Sequence, residues 1–197
     1  ESYIENEDLG QLANIFTNLK KNTLPLAALG IPEKVVNSNV KWRSPSSDFC
    51  KKIAEFSKKF STKNPYKFLK ILCEGDGSKR LPIKLPKDGE PVFFPKTDTV
   101  ISVIGLSCLG KPIKETLFRY ELLPNLTSLD NYFIKSLQSA DIVTTDFLYR
   151  LCLSEKGLRK NITSQKFCII FNQADILDEK ALAEVITLRN QLQTKGI

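Results

Sequence analysis

The chain has 197 residues, 42% of them hydrophobic and 26% charged, which is enough apolar material for one ordinary globular domain of mixed class. Its formal net charge of +7 favours an anionic partner, but the cations are dispersed without aromatics interleaved along one stripe, which argues against a nucleic-acid groove. No segment approaches the roughly 18 consecutive apolar residues of a membrane span, and a chain without histidine excludes a Ser-His-Asp triad, a Cys-His pair and a histidine-ligated zinc centre.

The first element in chain order is NEDLGQLANIFTNLKK, where Leu9, Leu12, Ile15, Phe16 and Leu19 recur at helical spacing and Asn6 or Asp8 can cap the start. LPLAALGI (24–31) reads as a short buried strand, followed by a polar stretch with prolines. SPSSDFCKKIAEFSKKF then predicts a helix capped within Ser44 to Ser47, with Phe49, Ile53, Phe56 and Phe60 on its apolar face. Three later runs share one design: YKFLKILCEGDG (66–77), TDTVISVIG (97–105) and QKFCIIFNQAD (165–175) are apolar and end in Gly, Asn, Gln or Asp. Continuous apolar runs predict strands buried on both faces of a parallel sheet, with polar tips at the carboxyl ends where open α/β sheets bind ligands. Between the last two runs, LDNYFIKSLQSADIVTT and the residues after it read as helical, with Asp130 as cap. DEKALAEVITLRNQLQTK (178–195) is the clearest helix, with a stripe of Leu182, Val185, Ile186, Leu188 and Leu192.

The five cysteines are odd in number and contain no CxxC pair, so reduced thiols are expected and neither zinc nor haem. Cys73 and Cys168 lie inside apolar runs and are expected in the core. Methionine is absent and the chain starts at Glu1, which reads as a fragment or as a chain whose modified methionines are not written. The expected fold is therefore a single α/β domain over residues 1–197, a mostly parallel central sheet flanked by helices, incomplete at its N-terminus.

Three stretches carry candidate chemistry. In FNQAD, the NxxD spacing resembles the base-recognition motif of GTPases, with Asp175 accepting from a base edge and Asn172 bracing the loop. Gln173 stands where that motif has Lys; the alternative is a strand-to-helix turn in which Asp175 or Asp178 caps the next helix. In EGDGSKRLPIK, Glu74 and Asp76 form a carboxylate pair suited to Mg²⁺ and to activating water, while Lys79, Arg80 and Lys84 suit phosphate or another anion. The alternative is a glycine turn with exposed charges. In GLSCLGKP (105–112), Gly105 to Lys111 imitate a phosphate loop, but Pro112 replaces the Mg²⁺-binding Ser or Thr and offers no N–H. Lys111 is left as an anion contact, and Cys108 as the one thiol to test for reactivity.

Taken together, EGDGSKRLPIKLPKDGEPVFFPKTDTVISVIGLSCLGKPIKETLFRYELL followed by FNQADILD resembles the YqeC family of selenium-dependent hydroxylase accessory, or selenium cofactor biosynthesis, proteins. The resemblance covers residues 66–178. Glu74, Asp76, Gly77, Ser78, Lys79, Leu81, Pro82, Lys84, Pro86, Glu90 and Pro91 match one motif, and Thr97, Asp98, Val100, Gly105, Leu106, Leu109, Gly110, Lys111 and Pro112 match the next. Gly75 departs from the family's Ala, and Phe118 stands before Arg119 and Glu121 where the family often has His. The resemblance implies a P-loop NTPase-like three-layer sandwich whose first strand and GxGGKT phosphate loop precede residue 1. It implies a cytoplasmic nucleotide-binding protein, ATP- or GTP-hydrolysing with Mg²⁺ when full length, that serves maturation of selenium-dependent molybdenum hydroxylases. Glu74 and Asp76 would be its catalytic and metal-binding pair; Ser78, Lys79, Lys84, Gly105, Lys111, Asn172 and Asp175 would meet nucleotide or anion. The alternative is a non-catalytic binding module for the hydroxylase or its pterin cofactor. Neither a membrane nor a nucleic acid is an expected partner.

Overall fold

The computed structural model describes residues 2–4, 7–17, 27–36, 39–63, 70–94, 96–126 and 141–197. These fall into two compact units, Glu1–Leu72 with Phe94–Lys96, and Cys73–Phe93 with Thr97–Ile197.

In the first unit, strand β1 (Ser2–Ile4) runs parallel to β2 (Ala27–Leu29), and β3 (Ile31–Val36) pairs antiparallel with β4 (Asn39–Arg43) across the stretch that reads as polar in sequence. Helix α1 (Leu9–Thr17) begins where Asp8 Oδ1 accepts from the amides of Gly10 and Gln11 at 2.7 and 3.3 Å. Helix α2 (Ser47–Lys63) begins at Ser46, whose Oγ accepts from Phe49 N at 3.2 Å. Both caps fall where the sequence puts them, because a side-chain oxygen there satisfies an amide with no intrahelical partner. Leu12, Phe49 and Ile53 are buried together, with Leu9, Phe56, Phe60 and Phe94 packed against them.

The second unit is organised by β6 (Thr99–Gly105) and β8 (Lys166–Asn172), parallel and in register from Thr99 opposite Lys166 to Gly105 opposite Asn172. Two shorter strands, β5 (Ile83–Lys84) and β7 (Leu117–Phe118), also pair in parallel, and β5 is tied to β6 where Gly105 N donates to Pro82 O at 2.9 Å. Helix α3 (Ile113–Thr116) precedes β7. Helix α4 (Thr145–Leu153) is capped by Thr144 Oγ1, which accepts from Phe147 N at 3.1 Å. Helix α5 (Glu179–Gln193) is capped by Asp178 Oδ1, which accepts from Ala181 N at 2.8 Å. Ile104 of β6 is buried with Phe147, Leu148 and Leu151 of α4 and with Leu188 and Leu192 of α5. The fold class is mixed α/β, built of helices and short two-stranded sheets, parallel except for β3–β4 among the described residues. No helix among the described residues is long and apolar enough to cross a membrane.

Five expectations need correction. Strands β6 and β8 are not buried on both faces: Ile104, Ile169 and Phe171 turn to the helices, whereas Ile101, Val103 and Ile170 are 49%, 57% and 48% exposed. Apolar letters on both sides of the pleat hide the period of two that a half-covered strand would otherwise show. Residues 70–77 form no strand, and Leu72 is 90% exposed. No ladder partner faces this run among the described residues, and Gly75 O instead accepts from Val92 N in a loop contact of 3.3 Å. Cys73 and Cys168 are exposed, while Cys108 and Cys152 are buried; Cys168 follows the outward pleat of β8. The stripe on α5 is narrower than its letters, since Val185, Leu188 and Leu192 are buried but Leu182 and Ile186 are not. Residues Asp141–Thr144 are extended or bridging rather than helical, and the predicted Asp130 cap lies outside the described residues.

Phe147 is 1% exposed at the centre of this core. Phe147→Ala should cost about 3–5 kcal/mol, whereas Ile186→Ala on the exposed flank of α5 should cost less than about 1 kcal/mol, both read from denaturant unfolding.

Candidate functional site

Strands β5 and β7 are two residues long, and the pleat gives each one inward and one outward side chain. Ile83 and Leu117 enter the core, and Lys84 and Phe118 turn the other way. Lys84 Nζ then lies 3.0 Å from Asp76 Oδ2 and 2.9 Å from Glu90 Oε2. Glu90 also accepts both terminal guanidinium nitrogens of Arg119, one of them at 3.0 Å, in a bidentate pair. These side chains are mostly buried, with Lys84 9% and Glu90 18% exposed, so the charges are poorly screened and depend on one another. The hydrogen bond from Arg119, with the Lys84 ammonium beside it, holds the Glu90 carboxyl far below the ordinary carboxylate range, at about 2. From the far side of the loop, Lys160 Nζ donates to Lys87 O at 2.8 Å and Asn161 Nδ2 to Glu90 O at 3.4 Å.

Phe118 forms the floor of this network. Its ring centroid lies 4.9 Å from the Arg119 guanidinium carbon, 5.2 Å from Lys79 Nζ and 5.9 Å from Lys84 Nζ, all within cation–π range. Lys79 arrives there from a turn closed by a 3.0 Å bond from Leu81 N to Ser78 O, in which Lys79 and Arg80 both adopt positive φ, 51° and 66°.

A second group gathers at the carboxyl end of the β6–β8 pair. Gly105 and Asn172 are opposite each other, and Gln173 follows in the left-handed region at φ 66°. Asn172, Gln173 and Asp175 are exposed. Asp178 rather than Asp175 caps α5, so the Asp175 carboxylate is not used as that cap. A Cβ on Gly105 would lie 3.0 Å from both Gln173 Oε1 and Pro82 Cβ, a tight fit in which Pro82 and the Gln173 side chain would have to give by a few tenths of an ångström.

The GLSCLGKP segment is no phosphate cradle. The amides of Leu109, Gly110 and Lys111 donate to Leu106 O, Val143 O and Cys108 O at 3.0–3.1 Å, which leaves them unavailable to an anion. Cys108 is fully buried, and burial pushes its thiol up to about 11, which corrects the expectation of a candidate reactive thiol. Lys111 is exposed.

The structure thus brings Lys79 and Lys84 together on Phe118, with Asp76 on the Lys84 ammonium, and Gly105 beside Asn172. Glu74 is exposed and outside the network, and Ser78 contributes its carbonyl to the turn. Sequence reasoning missed Glu90 and Arg119 as site residues; their matches to family motif positions were the available signal. Among the described residues no three acidic, His or Cys side chains cluster as a ready metal cage.

A family model described as YqeC protein matches residues 13–121, which takes in the whole Asp76–Lys84–Glu90–Arg119 network and ends before Asn172. No curated protein and no solved structure matches the chain.

Because Glu90 is held ionised by its partners, its stabilising contribution is complete above the ordinary carboxylate range and is lost as pH falls through that range toward 2. The difference in unfolding free energy between wild type and Glu90→Gln should therefore be widest near pH ~6 and close as pH falls below ~4. Maleimide labelling of the folded chain followed by mass spectrometry should modify exposed Cys168 and spare buried Cys108 and Cys152.

Proposed function

The chain belongs to the YqeC family, and on that premise we propose that it is a cytoplasmic nucleotide-binding accessory protein for maturation of selenium-dependent molybdenum hydroxylases, built on a P-loop NTPase-like three-layer body. The observation that carries the proposal is the meeting of Gly105, Asn172 and Gln173 with the Pro82–Lys84 segment at the carboxyl end of a parallel strand pair. Open α/β sheets present ligands at that end. In this reading Asp175 accepts from the donors of a base edge, Asn172 braces the loop, and the absence of a side chain at Gly105 lets ligand and backbone approach closely. Ser78, Lys79, Lys84 and Lys111 face the phosphates.

Glu74 and Asp76 supply the one or two carboxylates that Mg²⁺ takes when phosphates and water complete its shell, and the ion would neutralise charge on the phosphates. Asp76 has one oxygen on Lys84, so a metal there must share or displace that ammonium. In hydrolysis a bond forms from water oxygen to the terminal phosphorus and the bridging P–O bond breaks to release the diphosphate. The water proton passes to Glu74, whose carboxylate is in no ion pair among the described residues.

A second reading is favoured by one specific observation: Asp76 and Glu90 are already engaged by Lys84 and Arg119, as in a rigid recognition surface. The protein would then be a non-catalytic module that grips the hydroxylase or its pterin dinucleotide.

Calorimetry with Mg²⁺ and ATP or GTP separates the two. Binding that weakens about 10- to 100-fold in Asp175→Ala, with hydrolysis abolished in Glu74→Gln, is the expected result. Absence of nucleotide binding, with the pterin dinucleotide bound, sinks the nucleotide reading in favour of the second.

A further inference from the structure

Three cations meet on Phe118, and two of them are neutralised. Lys84 is paired with Asp76 and Glu90, and Arg119 with Glu90. Lys79 is exposed and has no carboxylate within ion-pair distance among the described residues. Its neighbour Arg80 adds another exposed cation at the same turn. Lys79, Arg80 and Arg119 all have positive φ, at 51°, 66° and 66°. That conformation crowds Cβ against the carbonyl and suits glycine or asparagine at the centre of such a turn. Neither residue type is used here, so a strained backbone is retained with cationic side chains. Lys79 and Arg119 reach one ring from two different segments, each from a residue with positive φ.

We propose that the surface formed by Lys79, Lys84, Phe118 and Arg119 is an oxyanion site for a phosphoryl group, with Glu90 as the positioning residue that holds Lys84 and Arg119 side by side. The proposal deepens the nucleotide reading and rests on it only in placing Lys79 and Lys84 at an anion. A tetrahedral, multiply charged oxyanion fits better than a planar monoanion, because donors converge from three segments: the Ser78–Leu81 turn, β5 and the residue after β7. Asp76 and Glu90 offset two of the positive charges, and an arriving phosphoryl group offsets the surplus carried by Lys79 and Arg80. Two sources carry this chemistry: the phosphates of a nucleotide and those of a pterin dinucleotide.

The test titrates inorganic pyrophosphate, ADP and GDP into the full chain by calorimetry. Pyrophosphate should bind, and Lys79→Ala, at an exposed position that leaves the fold intact, should weaken it at least about tenfold. Glu90→Gln should weaken it as well. This outcome is diagnostic, because deleting a negative charge beside a site that is merely electropositive would tighten anion binding. Wild-type affinity in Lys79→Ala, or equal or tighter binding in a folded Glu90→Gln, overturns the site; should Glu90→Gln fail to fold, Lys79→Ala decides alone. Pyrophosphate binding that depends on Lys79 without any binding of ADP or GDP leaves this site standing and removes the nucleotide reading, assigning the phosphoryl group to the other source. ADP binding that survives Lys79→Ala, with pyrophosphate equally indifferent, does the reverse.

Discussion

Glu90 is one carboxylate serving two cations, and the local architecture depends on that sharing. Strands β5 and β7 are too short for their ladder alone to hold them, and each turns one side chain into the core and a charged or aromatic one away from it. The Glu90 carboxylate fastens Lys84 of β5 to Arg119, the residue directly after β7, while Asp76 brings the glycine-flanked loop to the same ammonium. Four chain segments are thereby fixed by a handful of charge-assisted bonds. Removing one partner of such a set strands the others without compensation, so the group behaves as a unit rather than as separable surface pairs.

The same constraint explains why only part of the site was legible. Asp76, Lys79 and Lys84 lie within nine residues of one another, with glycines on either side of Asp76, so their clustering is visible in the letters themselves. Glu90 and Arg119 are 29 residues apart, and their pairing is created by the parallel alignment of two two-residue strands, which leave no periodicity to read. Phe118 appears in sequence as an interruption of a family pattern, and in three dimensions it is the ring on which three cations converge.

The fold divides along a similar line. Helices α1, α2 and α5 were legible because Asp8, Ser46 and Asp178 act within three residues of the amides they cap. The extents of β6 and β8 were legible from their apolar runs, but how many of their faces are covered is a tertiary property. A run such as VISVI is compatible with burial on one side or both, and the outward positions of Ile101, Val103 and Cys168 follow from where α4 and α5 pack. The run at 70–73 has the right composition for a strand and no partner among the described residues, which shows that β-propensity expresses pairing more than preference.

Gly105 joins the two halves of the site. Its φ of −79° is open to any residue, so conformation does not demand glycine there. Space is what tightens there: its amide donates to Pro82 O at 2.9 Å, and a Cβ would meet Pro82 and the Gln173 side chain at 3.0 Å. Pro82 lies two residues before Lys84, so the bond that seats β5 against the end of β6 also sets the height of the Lys84 ammonium over Asp76 and Glu90. In this sense the segment that imitates a phosphate loop is a joint: its amides are spent on internal turns and on Val143 O, and its first glycine ties the Pro82–Lys84 segment to the strand ends.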